Sequence, residues 1–146
     1  MSRSGYSDGL DNWELIKWRG QVASAIRGKR GQALLLELAK AMDAMPVKEL
    51  IANDFQAEGR YCALGVVGAE RGIDMSKIDP YESDEVAEAL DIARALACEI
   101  VFQNDEGSWR ISKETPVQRW ARMRAWVDGH INRSAVPAER DKGGQE

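Results

Sequence analysis

Few groups in this chain are able to do covalent or acid–base chemistry. His130 is its one histidine, and Cys62 and Cys98 are its two cysteines. A general base needs an orienting partner and a substrate cleft. His130 falls late in a helix-periodic segment, where a helix C-terminus favours an imidazole without any catalytic role. Cys62 follows Tyr61 in an apolar run, and a lone cysteine there packs as a small hydrophobe. Cys98 lies off the main apolar stripe of its segment and still reads as packing, because a reactive thiol requires an electropositive setting. No serine or cysteine stands in a nucleophile motif.

Carboxylates gather at Asp79, Glu82, Asp84 and Glu85, and again at Asp105 and Glu106. Neither group has the spacing of a calcium loop. Helix-start caps and a solvated turn account for them. The run Gly65-Val66-Val67-Gly68, with Gly72 beyond it, lacks the spacing of a dinucleotide fingerprint and the Gly-Lys-Ser/Thr ending of a phosphate loop. A corner where two backbones approach closely is the expected role. These residues predict no catalytic group, no metal site and no cofactor, and therefore not an enzyme.

The cations are more suggestive. Ala25-Ile26-Arg27-Gly28-Lys29-Arg30-Gly31-Gln32 places three of them around two glycines, between two helical patterns. Lys17 and Arg19 precede them, flanking Trp18, and Trp109 adjoins Arg110. Lys17, Arg19, Arg27, Lys29, Arg30, Trp109 and Arg110 are the candidate binding residues. A second basic set, Arg110, Lys113, Arg119, Arg122 and Arg124, surrounds the last helical segment. If both sets shared one surface, they would form a positive face on an acidic chain. Arg and Trp together suit a protein–protein hot spot. They equally suit base stacking with phosphate contact. Solvated helix faces, with tryptophans in the core, are the reading that needs no partner and stands ahead of both.

The elements that must position these groups follow from patterning. The chain has 146 residues, 44% of them hydrophobic and 30% charged, enough for one domain with a core. Its net charge is -4, whereas a dedicated nucleic-acid binder usually has a basic balance. Two cysteines are too few for a disulfide framework or a zinc site. No apolar signal segment or membrane-length run is visible, so reduced thiols in a cytoplasm are expected.

Residues 1–10 read as a flexible arm. Leu15, Trp18, Val22 and Ile26 mark a first helix with a buried stripe, ending at Gly28 in a left-handed cap. Gly20 within it suggests a close crossing. A second helix runs from Gly31 to about Met45, and Pro46 stops it. Segments 49–56 and 60–65 form a β-hairpin across Ala57-Glu58-Gly59, passing into a short helix over 65–71. A third long helix starts at Ser83 or Asp84 and continues through Ile100. Asn104-Asp105-Glu106-Gly107 is a turn. Thr115-Pro116-Val117-Gln118 is a capping box that opens the last helix. A disordered tail is expected over 133–146. The prediction is an α+β domain, mostly α, over 11–132: about four main helices around one core, with an inserted β-hairpin and short helix.

Several blocks resemble a known family. They include Arg3-Ser4-Gly5-Tyr6-Ser7-Asp8, Trp18-Arg19-Gly20, Ala25 through Gln32 and Cys62-Ala63-Leu64-Gly65. Further on come Arg71-Gly72-Ile73-Asp74-Met75, Ile78-Asp79-Pro80, Asn104-Asp105-Glu106, and Thr115-Pro116 with Arg119-Trp120. In this order they resemble a family of small proteins encoded by tailed bacteriophages and prophages of proteobacteria. The resemblance brings no functional residue with it. It implies a setting, a phage protein at work in the host bacterial cytoplasm. The expectation is a non-enzymatic protein that binds a host bacterial protein, for host takeover or to inhibit a host defence. The alternative is a nucleic-acid-binding accessory protein using the basic helix–helix connector, and an unrecognised enzyme ranks third.

Overall fold

The computed structural model describes Ser4, residues 12–107 and residues 113–132. The expected arm over 1–10 and tail over 133–146 fall, apart from Ser4, outside the described residues. The architecture is α+β and mostly α, with six helices and one small hairpin among the described residues. The helices are α1 (Asn12–Arg27), α2 (Lys29–Ala44), α3 (Ala63–Glu70), α4 (Ser83–Leu90), α5 (Arg94–Glu106) and α6 (Pro116–His130). Two strands, β1 (Gln56–Ala57) and β2 (Arg60–Tyr61), pair antiparallel between α2 and α3. α2 packs against α1, α3 and α6, while α5 packs against α1, α3, α4 and α6. Leu34, Leu35, Leu38 and Met42 of α2 meet Leu64, Val67, Leu96, Ile100, Met123 and Val127 in the core.

The α1–α2 corner is tighter than the sequence suggests. One residue, Gly28, separates the helices, and it is extended (φ -69°, ψ 164°) as the N-cap of α2, not left-handed. The next turn begins at once, since the Gln32 N–H donates to the Gly28 carbonyl at 2.9 Å. The close crossing occurs at Gly31, where a Cβ would lie 1.9 Å from the Ala25 carbonyl oxygen. Gly20 has open space above it, with nothing within 4 Å of an added Cβ. Its cost to α1, ~1 kcal/mol relative to Ala, is therefore offset by no contact of its own in the fold. The expected stripe of α1 is only partly buried: Ile26 is 8% exposed, but Leu15 is 38% exposed. α1 lies on the outside of α5 and α2, so its lower half reaches the core and its upper half does not.

The chain between α2 and β1 has no regular structure and enters the core at two points. Leu50 and Phe55 are buried, and the strand expected over 49–56 shrinks to Gln56–Ala57. Asn53 in the left-handed region (φ 72°) breaks the extended run. Buried backbone groups must still find partners. Leu50 donates its N–H to the Pro116 carbonyl at 3.1 Å, and its own carbonyl accepts from Arg119 Nη1 at 3.0 Å. Ile51 donates to the Tyr61 carbonyl at 2.9 Å and accepts from Asn104 Nδ2 at 2.9 Å. The Asn53 N–H donates to Asp105 Oδ1 at 3.1 Å. Asn104 Oδ1 accepts from the Ala63 N–H at 3.0 Å, which caps α3 in the absence of a side-chain cap from Cys62. Asn104 and Asp105 are thus buried in the last turn of α5, a correction to the solvated turn read from their sequence. They are polar because the backbone they serve is buried with them.

The glycine corner has the expected role. A Cβ on Gly65 would lie 1.8 Å from the Phe55 carbonyl oxygen, so α3 can approach the buried segment only without one. The single long helix expected over 83–100 is divided into α4 and α5. Asp91 is left-handed (φ 56°, ψ 50°) and ends α4. The Asp91 N–H donates to Glu88 O at 3.3 Å and the Ile92 N–H to Ala87 O at 3.1 Å, a Schellman pair with Asp in the position usually given to Gly. The break buries Ile92, which a continuous helix would turn elsewhere. The capping box at α6 is formed in both directions, by Thr115 Oγ1 to the Gln118 N–H at 3.1 Å and Gln118 Oε1 to the Thr115 N–H at 3.0 Å.

Two substitutions test these constraints. Asn104→Leu leaves the Ile51 carbonyl and Ala63 N–H without their partner, and should lower unfolding stability by about 2–4 kcal/mol in a urea titration. Gly31→Ala forces the α1–α2 crossing apart and should cost about 1–3 kcal/mol by the same measurement.

Candidate functional site

The candidate residues divide sharply by environment. Lys17, Arg19, Arg27, Lys29 and Arg30 are all exposed along α1 and the α1–α2 corner. Arg30 reaches Asp91 at 3.1 Å, a pair with both side chains more than half exposed and so of little energetic weight. Lys17, Arg19, Arg27 and Lys29 make no ion pair among the described residues. Trp109 and Arg110 lie outside the described residues.

The corner is held rigidly from below. Gln32 Nε2 donates to the Ile26 carbonyl at 2.7 Å and to the His130 carbonyl at 3.0 Å, and Gln32 Oε1 accepts from the Asn132 N–H at 2.7 Å. One side chain therefore joins the end of α1 to the end of α6. His130 is exposed, with its ring 4.6 Å from that of Trp126 and Nδ1 2.8 Å from the Trp126 carbonyl.

The second basic set does not join the first. Arg119 is buried at 7% exposure, with Nε 3.4 Å from Glu114 and Nη1 on the Leu50 carbonyl. Arg122 grips Glu114 with two bonds of 2.6 and 2.9 Å and donates to the Gln103 and Asn104 carbonyls at 2.6 and 3.2 Å. It thereby satisfies carbonyls that α5 leaves open at its C-terminus. Arg124 holds Asp43 of α2 at 2.8 and 3.0 Å. Arg71 does for α4 what Arg122 does for α5: it donates to the Leu90 carbonyl at 2.8 Å while gripping Glu37 at 2.6 and 2.8 Å. These planar forks join helices, a task for which two fixed donors suit arginine well. A shared positive face built from both sets is therefore corrected: Arg119, Arg122 and Arg124 are engaged within the fold.

The side face of α1 forms a shallow groove with the start of α5, whose lining includes Lys17, Trp18, Gly20, Gln21, Ala93 and Arg94, with Gly20 at the edge shared with the outward face. The Arg94 guanidinium stands 5.9 Å from the Trp18 ring centroid. A cavity of about 280 Å³ lies on the far side, between the C-terminal end of α2, the hairpin and α3. Ala41, Met45, Val47, Tyr61 and Val66 make it largely apolar, and its Arg60 and Glu49 pair at 3.3 Å. Both cysteines are buried as free thiols. Burial pushes the Cys98 thiol above its ordinary value, against the reactive direction. No group of His, Cys, Asp and Glu able to hold a metal occurs among the described residues. No helix among them is long and apolar enough to cross a membrane.

One feature escaped the sequence reading. Trp13 and Ile16 are 66% and 62% exposed, on the side of α1 opposite its buried residues. Their three-residue spacing was visible, but the buried stripe at 15, 18, 22 and 26 had already claimed the helix.

The Glu114 pair has a pH consequence. Hydrogen bonds from Arg122 hold the Glu114 carboxyl below its ordinary value of about 4.5. A depressed folded value means that the stabilisation is complete above the unfolded value and is lost as pH falls through the folded one. Acid titration of unfolding stability should therefore show a loss beginning below about pH 4.5, and Glu114→Gln should flatten that limb while lowering stability at pH 7 by about 1–3 kcal/mol. Comparison of the chain with protein-family models, with curated proteins and with solved structures finds no match.

Proposed function

We propose that this is a non-enzymatic binding protein that occupies the surface of an acidic protein partner through α1 and the α1–α2 corner. One observation carries the reading: Trp13 and Ile16 stand exposed on a helix whose Lys17, Arg19 and Arg27, with Lys29 just beyond, have no acidic partner among the described residues. Large apolar side chains rimmed by unpaired cations suit an interface with a buried anchor and a steering rim. Such a surface has no use for a cleft or for an acid–base pair. The phage resemblance supplies the setting: the partner proposed is a host bacterial protein in the bacterial cytoplasm, and the action is steric, by masking a surface that a defence system or another host machine needs. Trp109 and Arg110 belong to the same reading but lie outside the described residues.

The nucleic-acid alternative relies on the same few cations. With Arg119, Arg122 and Arg124 engaged internally, it has one basic cluster to set against a net charge of -4.

Affinity capture from bacterial lysate, comparing the wild type with Arg27→Glu, Lys29→Glu, tests the proposal. The wild type should retain an acidic protein in 50 mM salt, and the folded double variant should retain at least about tenfold less of it. Equal retention would reduce the corner to a turn. A salt-sensitive shift of DNA or RNA by the wild type, with no protein retained, would favour the alternative.

A further inference from the structure

The outward face of α1 has a regularity beyond its two large residues. Trp13, Ile16, Gly20, Ala23 and Arg27 follow one another at intervals of three, four, three and four, and all five are exposed. This is the spacing by which one helix meets another along a seam. The seam is graded. Trp13 and Ile16 form a bulky N-terminal end, Gly20 and Ala23 form a shallow middle, and open space stands above Gly20. A glycine in the interior of a helix weakens it. At Gly31 the fold uses the missing side chain for a crossing; at Gly20 it does not. A close crossing at Gly20 therefore needs a backbone that the described residues do not supply.

Charge selects which backbone. α1 carries Lys17, Arg19 and Arg27 against the single acid Glu14. Lys17 flanks the seam on one side and Arg19 on the other, while Arg27 closes its C-terminal end. A second copy of α1 laid on the seam would face each set of three cations with another such set. A helix with apolar residues at the seam and Asp or Glu beside them would neutralise them instead.

We propose that this seam receives one acidic amphipathic helix of the partner, crossing α1 closest at Gly20, with its apolar stripe on Trp13 and Ile16 and its carboxylates on Lys17, Arg19 and Arg27. The inference rests on the reading that α1 carries the docking surface, and it names the shape and charge of what docks there.

A displayed library of random 20-residue peptides, selected on the full-length wild-type chain and read by fluorescence anisotropy, provides the test. The enriched peptides should be net acidic, with apolar residues at three- and four-residue spacing. Gly20→Leu, which fills open space, should keep the wild-type melting temperature or raise it, yet weaken these peptides at least about tenfold. Gly20→Ala should raise the melting temperature and weaken binding less. Lys17→Glu, Arg27→Glu should exchange the preference for basic peptides. No enrichment, enrichment without helical spacing, or equal binding to Gly20→Leu would overturn the proposal. So would a wild-type dimer in sedimentation equilibrium that Gly20→Leu dissociates, since the seam would then belong to a second copy. If Gly20→Leu leaves lysate capture intact while Arg27→Glu, Lys29→Glu abolishes it, the protein-binding reading stands and the helix-in-seam inference falls.

Discussion

An irregular chain segment dips into the core of this protein at Leu50 and Phe55, and the backbone groups it buries cannot be left without hydrogen bonds. From Leu50 to Phe55 the polypeptide is neither helix nor ladder, yet Leu50 and Phe55 are fully buried. Each unpaired amide or carbonyl there would cost about 1–3 kcal/mol. The pairing is supplied from elsewhere: Asn104 and Asp105 at the end of α5, Pro116 and Arg119 at the start of α6, and Tyr61 and Cys62 from the hairpin and its exit. The positions of α3, α5 and α6 are therefore not independent. Asn104 alone touches the buried segment, the start of α3 and its own neighbour Asp105. The fold is assembled around that polar junction as much as around its leucines.

The same demand decides what three of the arginines, Arg71, Arg119 and Arg122, do. Helix ends that meet inside a small domain expose carbonyls with no partner in their own helix. Arg71 closes α4 onto Glu37 of α2, and Arg122 closes α5 onto Glu114. Arg124 ties α6 to α2 through Asp43. These cations are part of the frame, and their carboxylate partners keep them from acting as a diffuse positive surface. Among the described residues, Lys40, Lys77 and Lys113 also lack an ion pair but lie on separate segments, whereas α1 and its corner gather Lys17, Arg19, Arg27 and Lys29 together. That asymmetry, a body whose arginines are mostly engaged and one flank helix with clustered unpaired cations, underlies the proposed function.

α1 is also the helix least committed to the core. Its lower residues, Ala25 and Ile26, join the packing, and Gly31 lets α2 pass close beneath it. Its upper half carries Trp13, Leu15 and Ile16 at the surface. An element held along one side and open along the other can present a helix face without disturbing the network that holds the rest together.

Much of this was legible in one dimension. The capping box at Thr115, the stop at Pro46, the turn at Glu58-Gly59 and the leucine face of α2 are local, since each depends on residues within a turn or two of one another. The packing role expected of Cys62 and Cys98 agrees with their burial, and the mostly helical α+β class followed from periodicity. Other features depended on residues far apart in the chain. The strand expected over 49–56 was lost to side chains some fifty residues away, and Asn104 and Asp105 looked like a solvated turn because their partners are just as distant. Arg119, Arg122 and Arg124 looked like a surface patch until Glu114, Asp43 and the carbonyls of α5 were brought beside them. Local backbone preference was written in the sequence. Which charges are cancelled and which are left free was settled only by the tertiary structure, because pairing depends on distance in space, and periodicity along the chain carries no record of it.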